Sequence, residues 1–197
     1  MSHYFKNDDS LKSEIRELKY TFNKQTIIYK TDAGIFSKDH IDFGSNVLLN
    51  SLSDLEKYSS VLDVGCGYGT IGLAIAKGYP DLKVDMVDVN ERAVSLTKNN
   101  IVYNNLRNVN AFVSDLYSEV TSTYDCIISN PPIRAGKKVV FGVVEEGYRY
   151  LNENGVIYVV IQKKQGAPSL FNKMNEVYGN AEIINKEKGY YIIKSVK

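Results

Sequence analysis

The chain has 197 residues, the length of one domain, and its 44% hydrophobic and 24% charged residues lie in the ordinary range of globular proteins. This composition excludes collagen-like, coiled-coil and intrinsically disordered chains. Since 24 Lys and Arg balance 23 Asp and Glu, a contact with nucleic acid would need a local basic patch and not a global positive field.

The cysteines and the N-terminus point to the compartment. Cys66 and Cys126 lie in apolar, strand-like segments without a CxxC pair or nearby histidines, which favours neither a disulfide framework nor a zinc site. The residues MSHYFKNDDS lack the apolar stretch of a signal peptide, and no run approaches the roughly 18 apolar residues of a membrane span. We therefore expect a soluble cytoplasmic protein with no metal and no membrane contact; the oligomeric state stays open.

The N-terminal part predicts a β-hairpin followed by a helix. The segment ELKYTFNKQTIIYK alternates polar and apolar residues around Asn23 and Lys24, which is typical of two short antiparallel strands. After the loop TDAGIFSKDHIDFGS, the segment NVLLNSLSDLEKY places Val and Leu residues up to Leu55 on one helical face. Ser45 is available as the cap of this helix.

From residue 60 onward, strand-like and helical segments alternate. SVLDVG, KVDMVDV, NVNAFVSD, YDCIISN and GVIYVVIQ are apolar runs of strand length, and helical spacing occurs between them. This order predicts an α/β fold with a doubly wound, mostly parallel sheet. The last segment, AEIINKEKGYYIIKSVK, predicts an antiparallel hairpin. We expect a single domain over residues 1–197, with the N-terminal hairpin and a loop in 1–44 and the core in 45–197.

A glycine-rich turn follows the first strand of this series, in the residues DVGCGYG. Gly65, Gly67 and Gly69 permit positive φ and close approach of a ligand, and the helix starting near Thr70 would offer free amide donors. The spacing G-x-G-x-G differs from the dinucleotide fingerprint G-x-G-x-x-G. A nucleotide-like ligand and a purely structural tight turn would both explain it.

Two carboxylates follow the next two strands. Asp88 ends VDMVD and could accept hydrogen bonds from both hydroxyls of a ribose, or it or Asn90 could cap the following helix. Asp115 in FVSDLY could accept a hydrogen bond from a purine amine, with Leu116 as an apolar shelf over the ring, or it could simply form a turn.

The segment Asn130-Pro131-Pro132-Ile133 follows the apolar strand YDCIIS. Two prolines fix φ and end the strand. The Asn130 side chain and the Pro131 carbonyl would therefore be rigid acceptors at the strand's carboxyl end, where open α/β sheets bind ligands. Two such acceptors facing one amino group would hold its nitrogen lone pair toward an electrophile.

In this order, DVGCGYG, Asp88, Asp115 and NPPI resemble a class I S-adenosylmethionine-dependent methyltransferase from about residue 45 onward. Three further segments, GIFSKDHIDFGSNVLL, SNPPIRAGK and VIQKKQGA, are similar to the methyltransferase small-domain family, which includes 16S ribosomal RNA guanine-N2 methyltransferases. The resemblance implies a Rossmann-like, seven-stranded sheet and S-adenosylmethionine as the cofactor.

The resemblance also implies residue roles. The backbone from Gly65 to Gly67 would hold the methionine part of the cofactor, and Asp63 would anchor the turn or meet the amino group. Asp88 would bind the ribose, Asp115 the adenine amine, and Asn130 with the Pro131 carbonyl the amino group of the target base. The implied cofactor-binding set is Asp63, Gly65, Cys66, Gly67, Gly69, Asp88, Val89, Asp115, Leu116 and Asn130, with Phe36, Asp42 and Gly44 from a loop that would close over the cofactor.

One departure concerns the substrate. Many amino-methylating relatives have an aromatic residue after NPP, whereas this chain has Ile133. An aliphatic side chain lacks the π-face that strengthens stacking, which disfavours adenine and DNA targets and leaves the stack to another aromatic such as Phe36.

Basic residues follow two strands that would end at the same edge of the sheet. They are Arg134, Lys137 and Lys138 after the NPPI turn, and Lys163 and Lys164 after the next strand. They would form either a rim that contacts RNA phosphates or ordinary solvated loops.

We expect methylation of an RNA base, most directly guanine N2 of ribosomal RNA or a small-subunit particle. The alternatives are methylation of a protein glutamine or another amide, and, in a different class, a dinucleotide-dependent oxidoreductase or a non-catalytic cofactor-binding module.

Overall fold

The computed structural model describes residues 16–31, 41–132 and 136–197. Two strands, β1 (Arg16–Phe22) and β2 (Gln25–Thr31), form the N-terminal hairpin. The main sheet contains β3 (Ser60–Val64), β4 (Lys83–Asp88), β5 (Val109–Val113), β6 (Tyr124–Ser129), β7 (Leu151–Gln162), β8 (Glu182–Glu187) and β9 (Tyr190–Val196). The helices are α1 (Phe43–Ser51), α2 (Thr70–Gly78), α3 (Glu91–Tyr103), α4 (Lys137–Tyr150) and α5 (Ala167–Tyr178), with 3-10 turns at Leu55–Lys57 and Lys163–Gln165.

The main sheet has the order β5-β4-β3-β6-β7-β9-β8. Strands β3 to β7 pair in parallel, whereas β9 runs antiparallel to both β7 and β8. The predicted doubly wound sheet, the C-terminal antiparallel hairpin and the N-terminal hairpin are all confirmed. The chain reverses its direction of travel across the sheet between β3 and β6, and in open α/β sheets this switch point is where ligands bind.

Apolar side chains cover both faces of the sheet. Along β6, Cys126 and Ile128 face a core cluster with α1, α2 and α3, whereas Ile127 faces a second cluster with α4 and α5. This alternation follows from the two-residue period of a strand. The near-continuous apolar runs of the sequence are therefore explained by burial on both faces.

The N-terminal hairpin is attached to α3 by two asparagines. The Asn104 amide bonds both the N–H (3.0 Å) and the carbonyl (2.8 Å) of Ile28. The Asn100 amide does the same with Lys30, at 2.7 and 3.0 Å. Residues four apart on a helix and two apart on a strand share similar spacings. The two amides therefore satisfy one edge of β2 as a neighbouring strand would.

The start and end of α1 differ from the prediction. Ser45 was predicted as its cap, which is wrong: the cap is Asp42, whose carboxylate accepts the Ser45 N–H at 3.0 Å. The helix begins earlier than expected because a carboxylate three residues before that N–H is the better acceptor. It also ends at Ser51, and Leu55 lies in the separate 3-10 turn.

The two cysteines and the helices bear on the predictions about disulfides and membrane spans. Cys66 and Cys126 are buried and unpaired. Within the described part of the chain, no helix has the length and apolar character needed to cross a membrane.

Candidate active site

A cleft of about 260 Å³ opens at the carboxyl ends of the strands, around the switch point between β3 and β6. Its walls come from the ends of β3, β4, β5 and β6 and from α4. They are formed by Val64, Gly65, Val87, Asp88, Val89, Ser114, Asp115, Leu116, Ser129, Pro131, Pro132, Val139 and Val143. The cleft thus contains members of all four motifs that the sequence singles out. Cys66, Gly67 and Gly69 lie behind this wall, within the glycine turn.

The glycine turn has the backbone conformation that its sequence predicts. Gly65, Gly67 and Gly69 all have positive φ, at 78°, 58° and 91°. A side chain at Gly69 would also collide with Leu73, since an added Cβ would lie 2.6 Å from Leu73 Cδ1. At Gly65 the space is open toward the cleft, with only Pro132 at 3.9 Å. Gly65 is therefore the point at which a ligand can approach the backbone.

The prediction that the helix starting near Thr70 offers free amide donors is wrong for Gly72, and the amides of the preceding turn are also engaged. The N–H groups of Gly65 and Cys66 both donate to the Val87 carbonyl. The N–H of Gly67 donates to Asp88, and that of Gly72 in α2 donates to Asp63, both at 2.9 Å. These N–H groups already donate to the ends of neighbouring strands because the turn packs against β4.

Asp88 organises the turn from the end of β4. Its carboxylate accepts the N–H of Gly67 and the N–H of Asn90, each at 2.9 Å. Asn90, and not Asp88, caps α3 by accepting the N–H groups of Arg92 and Ala93. The cap reading is therefore settled in favour of Asn90. Asp88 also lines the cleft.

Asp63 lies beneath the turn, 1% exposed, and accepts the Gly72 N–H. Burial raises the pKa of Asp63 from 3.8 to about 7; the hydrogen bond from Gly72 opposes the rise and the charge of Asp88 adds to it. Of its two expected roles, this contact gives Asp63 the anchoring one. Burial also raises the pKa of the Cys66 thiol well above its ordinary value, so this cysteine stays protonated and unreactive.

Asp115 and Leu116 form the opposite wall of the cleft. Within the described residues, no hydrogen bond to the exposed Asp115 carboxylate is found, so it is available to a ligand. Leu116 has φ of 50°, an uncommon conformation for a branched residue. Its side chain occupies the space above Gly142 of α4, where an added Cβ would lie 2.6 Å from Leu116 Cδ1. The apolar shelf thus depends on a helical glycine, with Val89 as a further exposed apolar surface at 42%.

The Asn-Pro-Pro turn ends β6 as predicted, with Pro131 and Pro132 on the cleft wall. The Asn130 side chain contacts residues from the start of α1, because its Nδ2 donates to Asp42 Oδ1 and to Ser45 Oγ, each at 2.9 Å. Gly44 is buried beside them, and an added Cβ would lie 2.9 Å from the Tyr190 ring and 3.2 Å from Asp42 Oδ1. Asp42 and Gly44 therefore lie at the Asn130 end of the site.

The lysines lie at the same edge of the sheet. Lys137 and Lys138 begin α4, and Lys163 and Lys164 follow β7; all four are exposed. Sequence reasoning missed Lys188 in the β8–β9 turn. This turn adjoins Lys163, whose N–H donates to the Gly189 carbonyl, and Lys188 Nζ lies 4.9 Å from the centre of the Phe43 ring. Only the topology brings it here, since no motif marks it.

Three predicted site residues, Phe36, Ile133 and Arg134, lie outside the described residues. The stacking role and part of the basic rim therefore stay predictions.

The fold and this cleft together define a class I S-adenosylmethionine-dependent methyltransferase. The family model "Methyltransferase small domain" matches residues 26–194. The chain belongs to this family, S-adenosylmethionine is its cofactor, and the oxidoreductase alternative is set aside.

Several relatives are similar over most of the chain. An uncharacterised protein of Bacillus subtilis (strain 168), YbxB, is 44% identical over 197 residues, which is 99% of this chain and 98% of that protein. Ribosomal RNA small subunit methyltransferase C of Vibrio parahaemolyticus is 30% identical over 90% of this chain. The chain spans about half the length of that methyltransferase, 51%.

Among solved structures, the 16S rRNA N2 G1207 methyltransferase of T. thermophilus, determined in complex with AdoMet and guanosine, superposes with a TM-score of 0.82 at 24% identity. The superposition covers 98% of this chain and 53% of the other. At this identity the likeness establishes the fold.

Proposed function

We propose that this chain transfers a methyl group from S-adenosylmethionine to the exocyclic amino group of an RNA base, with guanine N2 of 16S ribosomal RNA as the expected target. The observation that carries the proposal is a shared cleft. Pro131 and Pro132 of the Asn-Pro-Pro turn line the same walls as Asp88 and Asp115. The turn proposed to hold the target amino group and two carboxylates suited to a nucleoside thus border one cleft.

The cleft residues fit the cofactor. A carboxylate such as Asp88 can accept hydrogen bonds from ribose hydroxyls. The Asp115 carboxylate, which has no hydrogen-bond partner among the described residues, lies beside the Leu116 shelf and suits the amine and face of an adenine. Gly65 leaves room for close approach of the methionine part. When bound by these residues, the cofactor would supply an electrophilic methyl group for the target nitrogen, which would release a proton to water, and S-adenosylhomocysteine would be the other product.

Asn130 positions the target and does not act as a base, because a carboxamide is too weakly basic to take up a proton near neutral pH. Its oxygen would accept a hydrogen bond from the target amino group and hold the nitrogen lone pair toward the cleft. Alignment of this kind can lower a barrier by about 7–11 kcal/mol. A base inside a duplex cannot reach the cleft, so the target would be unpaired or flipped out.

The exposed lysines support RNA as the substrate. Lys137, Lys138, Lys163, Lys164 and Lys188 lie around the carboxyl edge of the sheet. Phosphate contacts by such residues position a nucleic acid without reading its sequence. The whole chain carries a net charge of +1, so the residues other than these five lysines are net negative, which would confine the RNA to this edge.

The first test is calorimetric titration with S-adenosylhomocysteine and, separately, with NAD; only the former should bind. Asp115→Asn should weaken that binding with little effect on stability, since its carboxylate makes no hydrogen bond within the described residues. Asn130→Ala should abolish turnover and leave the dissociation constant unchanged. Equal loss of cofactor binding in both variants would refute the assigned roles.

The second test identifies the target. Small ribosomal subunits and naked 16S RNA from a strain lacking the gene are incubated with the protein and radiolabelled cofactor. The nucleosides of the RNA and the amino acids of the ribosomal proteins are then separated by chromatography and identified by mass spectrometry. Label in N2-methylguanosine supports the proposal. Label in protein glutamine would replace it with the amide alternative, because an amide NH2 suits the same acceptor.

A further inference from the structure

The carboxamide of Asn130 is held by two side chains from the start of α1. Both hydrogen bonds leave from its nitrogen: Nδ2 lies 2.9 Å from Asp42 Oδ1 and 2.9 Å from Ser45 Oγ. An amide nitrogen has two donor hydrogens, so both are engaged. Among the described residues, no donor to the Asn130 side-chain oxygen is found, so this oxygen is the polar atom left for a substrate.

The orientation of this amide is forced by the chemistry of its partners. A carboxylate only accepts hydrogen bonds, so an Asn130 turned by half a rotation would place its oxygen against the Asp42 oxygen. Asp42 cannot move aside, because the same Oδ1 accepts the Ser45 N–H at 3.0 Å as the cap of α1. Helix capping therefore fixes the carboxylate, and the carboxylate fixes Asn130.

The neighbourhood keeps the carboxylate in place. Gly44 is buried between Asp42 and the Tyr190 ring, and any larger residue there would press on both. Tyr190 is itself held by a 2.6 Å hydrogen bond from Gln162 to its hydroxyl. Asp42, Gly44 and Tyr190 thus form a rigid support behind the Asn130 side chain, which we call the Asn130 seat.

We propose that Asp42 and Ser45 are positioning residues that fix Asn130 with its oxygen toward the substrate, which makes the site selective for a target group that donates a hydrogen bond over one that only accepts. This inference rests on the proposed function, because Asn130 is taken to touch the target amino group. A charged acceptor also strengthens its hydrogen bond and polarises the amide. Loss of either partner would free the carboxamide to rotate into an unproductive orientation.

The decisive variant is Ser45→Ala, which keeps the cap because Asp42 accepts the backbone N–H of this residue. We expect kcat on the small subunits described above to fall about tenfold. The dissociation constant of S-adenosylhomocysteine should stay unchanged. Ser51→Ala is the matched control, since it removes a hydroxyl from the other end of the same helix, where it bonds Val47 and Asn185.

A double-mutant cycle distinguishes positioning from mere support of the fold. Because Asn130→Ala is expected to abolish turnover, the cycle is measured as the free energy of unfolding. Ser45→Ala should lower this free energy no further when Asn130 is already alanine, because the hydroxyl acts only through the missing amide. Asp42→Asn, which retains a cap acceptor, should recover part of the activity that Asp42→Ala loses. An additive loss of unfolding free energy in the double variant, or a fall in kcat for Ser45→Ala no larger than for Ser51→Ala, would overturn the proposal.

A spectroscopic readout separates this inference from the proposed function. In an ¹⁵N-labelled protein, the two side-chain hydrogens of Asn130 should exchange slowly with water and shift on Ser45→Ala but not on Ser51→Ala. Rapid exchange of these two hydrogens in the wild type would show that the Asn130 seat does not hold the amide. If the seat is present and Asn130→Ala is fully active, the proposed role of Asn130 fails and the selectivity falls with it.

Discussion

The asparagines on α3 allow the N-terminal hairpin and the glycine turn to be perturbed separately. Asn100 makes three hydrogen bonds with its side chain: two with Lys30 in β2 and one, at 3.1 Å, to the carbonyl of Tyr68 in the turn. Asn104 also makes three, two with Ile28 and one to the Asn100 carbonyl. The two side chains are thus matched in chemistry and number of bonds but differ in contact with the turn.

Replacement of either asparagine by alanine removes three hydrogen bonds, two of which join α3 to β2. At about 1 kcal/mol for each bond, the free energy of unfolding should fall by about 3 kcal/mol in both variants. Only Asn100→Ala should weaken binding of S-adenosylhomocysteine, because only it releases the Tyr68 carbonyl. We expect about a tenfold weaker affinity, corresponding to about 1.4 kcal/mol.

Thr97→Val completes the set. The Thr97 hydroxyl donates to the Gly67 carbonyl at 2.8 Å, one turn away from Asn100. This variant loosens the turn and leaves β2 attached, so affinity should fall with little change in the hairpin. Urea unfolding and calorimetric titration of the three variants measure both quantities. If Asn104→Ala weakened cofactor binding as much as Asn100→Ala, the hairpin itself and not the Tyr68 contact would set the affinity.

Three further predictions use other parts of the cleft edge. Gly142→Ala should leave the free energy of unfolding within about 1 kcal/mol, because helix propensity offsets the displaced Leu116 side chain, yet weaken cofactor binding in the same titration. The pKa of Asp63 is about 7 in the folded protein against 3.8 when free, so the folded state binds a proton more tightly than the unfolded state. The contribution of Asp63 to the free energy of unfolding is therefore fully present below about pH 4, and it falls by up to about 4 kcal/mol as the pH rises to 7. Asp63→Asn should remove that part of the slope in urea unfolding at pH 4.5 and 7.5; an unchanged slope would assign it to another group. Lys188→Glu should weaken RNA binding and reduce its salt dependence in a filter-binding assay, whereas Lys57→Glu, in the 3-10 turn before β3, should do neither.

The order of elements could be predicted from the sequence because it depends on local periods. Apolar runs such as SVLDV and YDCIIS need only their own residues to indicate a buried strand. The positions of Asp88, Asp115 and Asn130 at strand ends follow from the same runs. Parallel strands bring their carboxyl ends to one edge, so the residues of the cleft were predictable as a group.

The contacts between those residues were not predictable, since each joins distant parts of the chain. Asp42 and Asn130 are 88 residues apart, and their hydrogen bond depends on how α1 packs beside β6. The same packing decided that Asp42 and not Ser45 caps the helix, because the carboxylate meets a backbone donor and a side-chain donor at one point. Lys188 joins the basic edge only because β9 lies next to β7.

The glycine turn shows which features depend on local sequence and which depend on packing against a neighbouring strand. Positive φ at Gly65, Gly67 and Gly69 is a local requirement that the residue type alone reveals. Whether the resulting N–H groups face a ligand depends on β4, whose Val87 carbonyl and Asp88 carboxylate take three of them. A turn whose donors are satisfied internally cannot bind an anion as a phosphate loop does. Its chemistry instead favours a ligand recognised by carboxylates and apolar walls, such as a nucleoside joined to a cationic sulfonium.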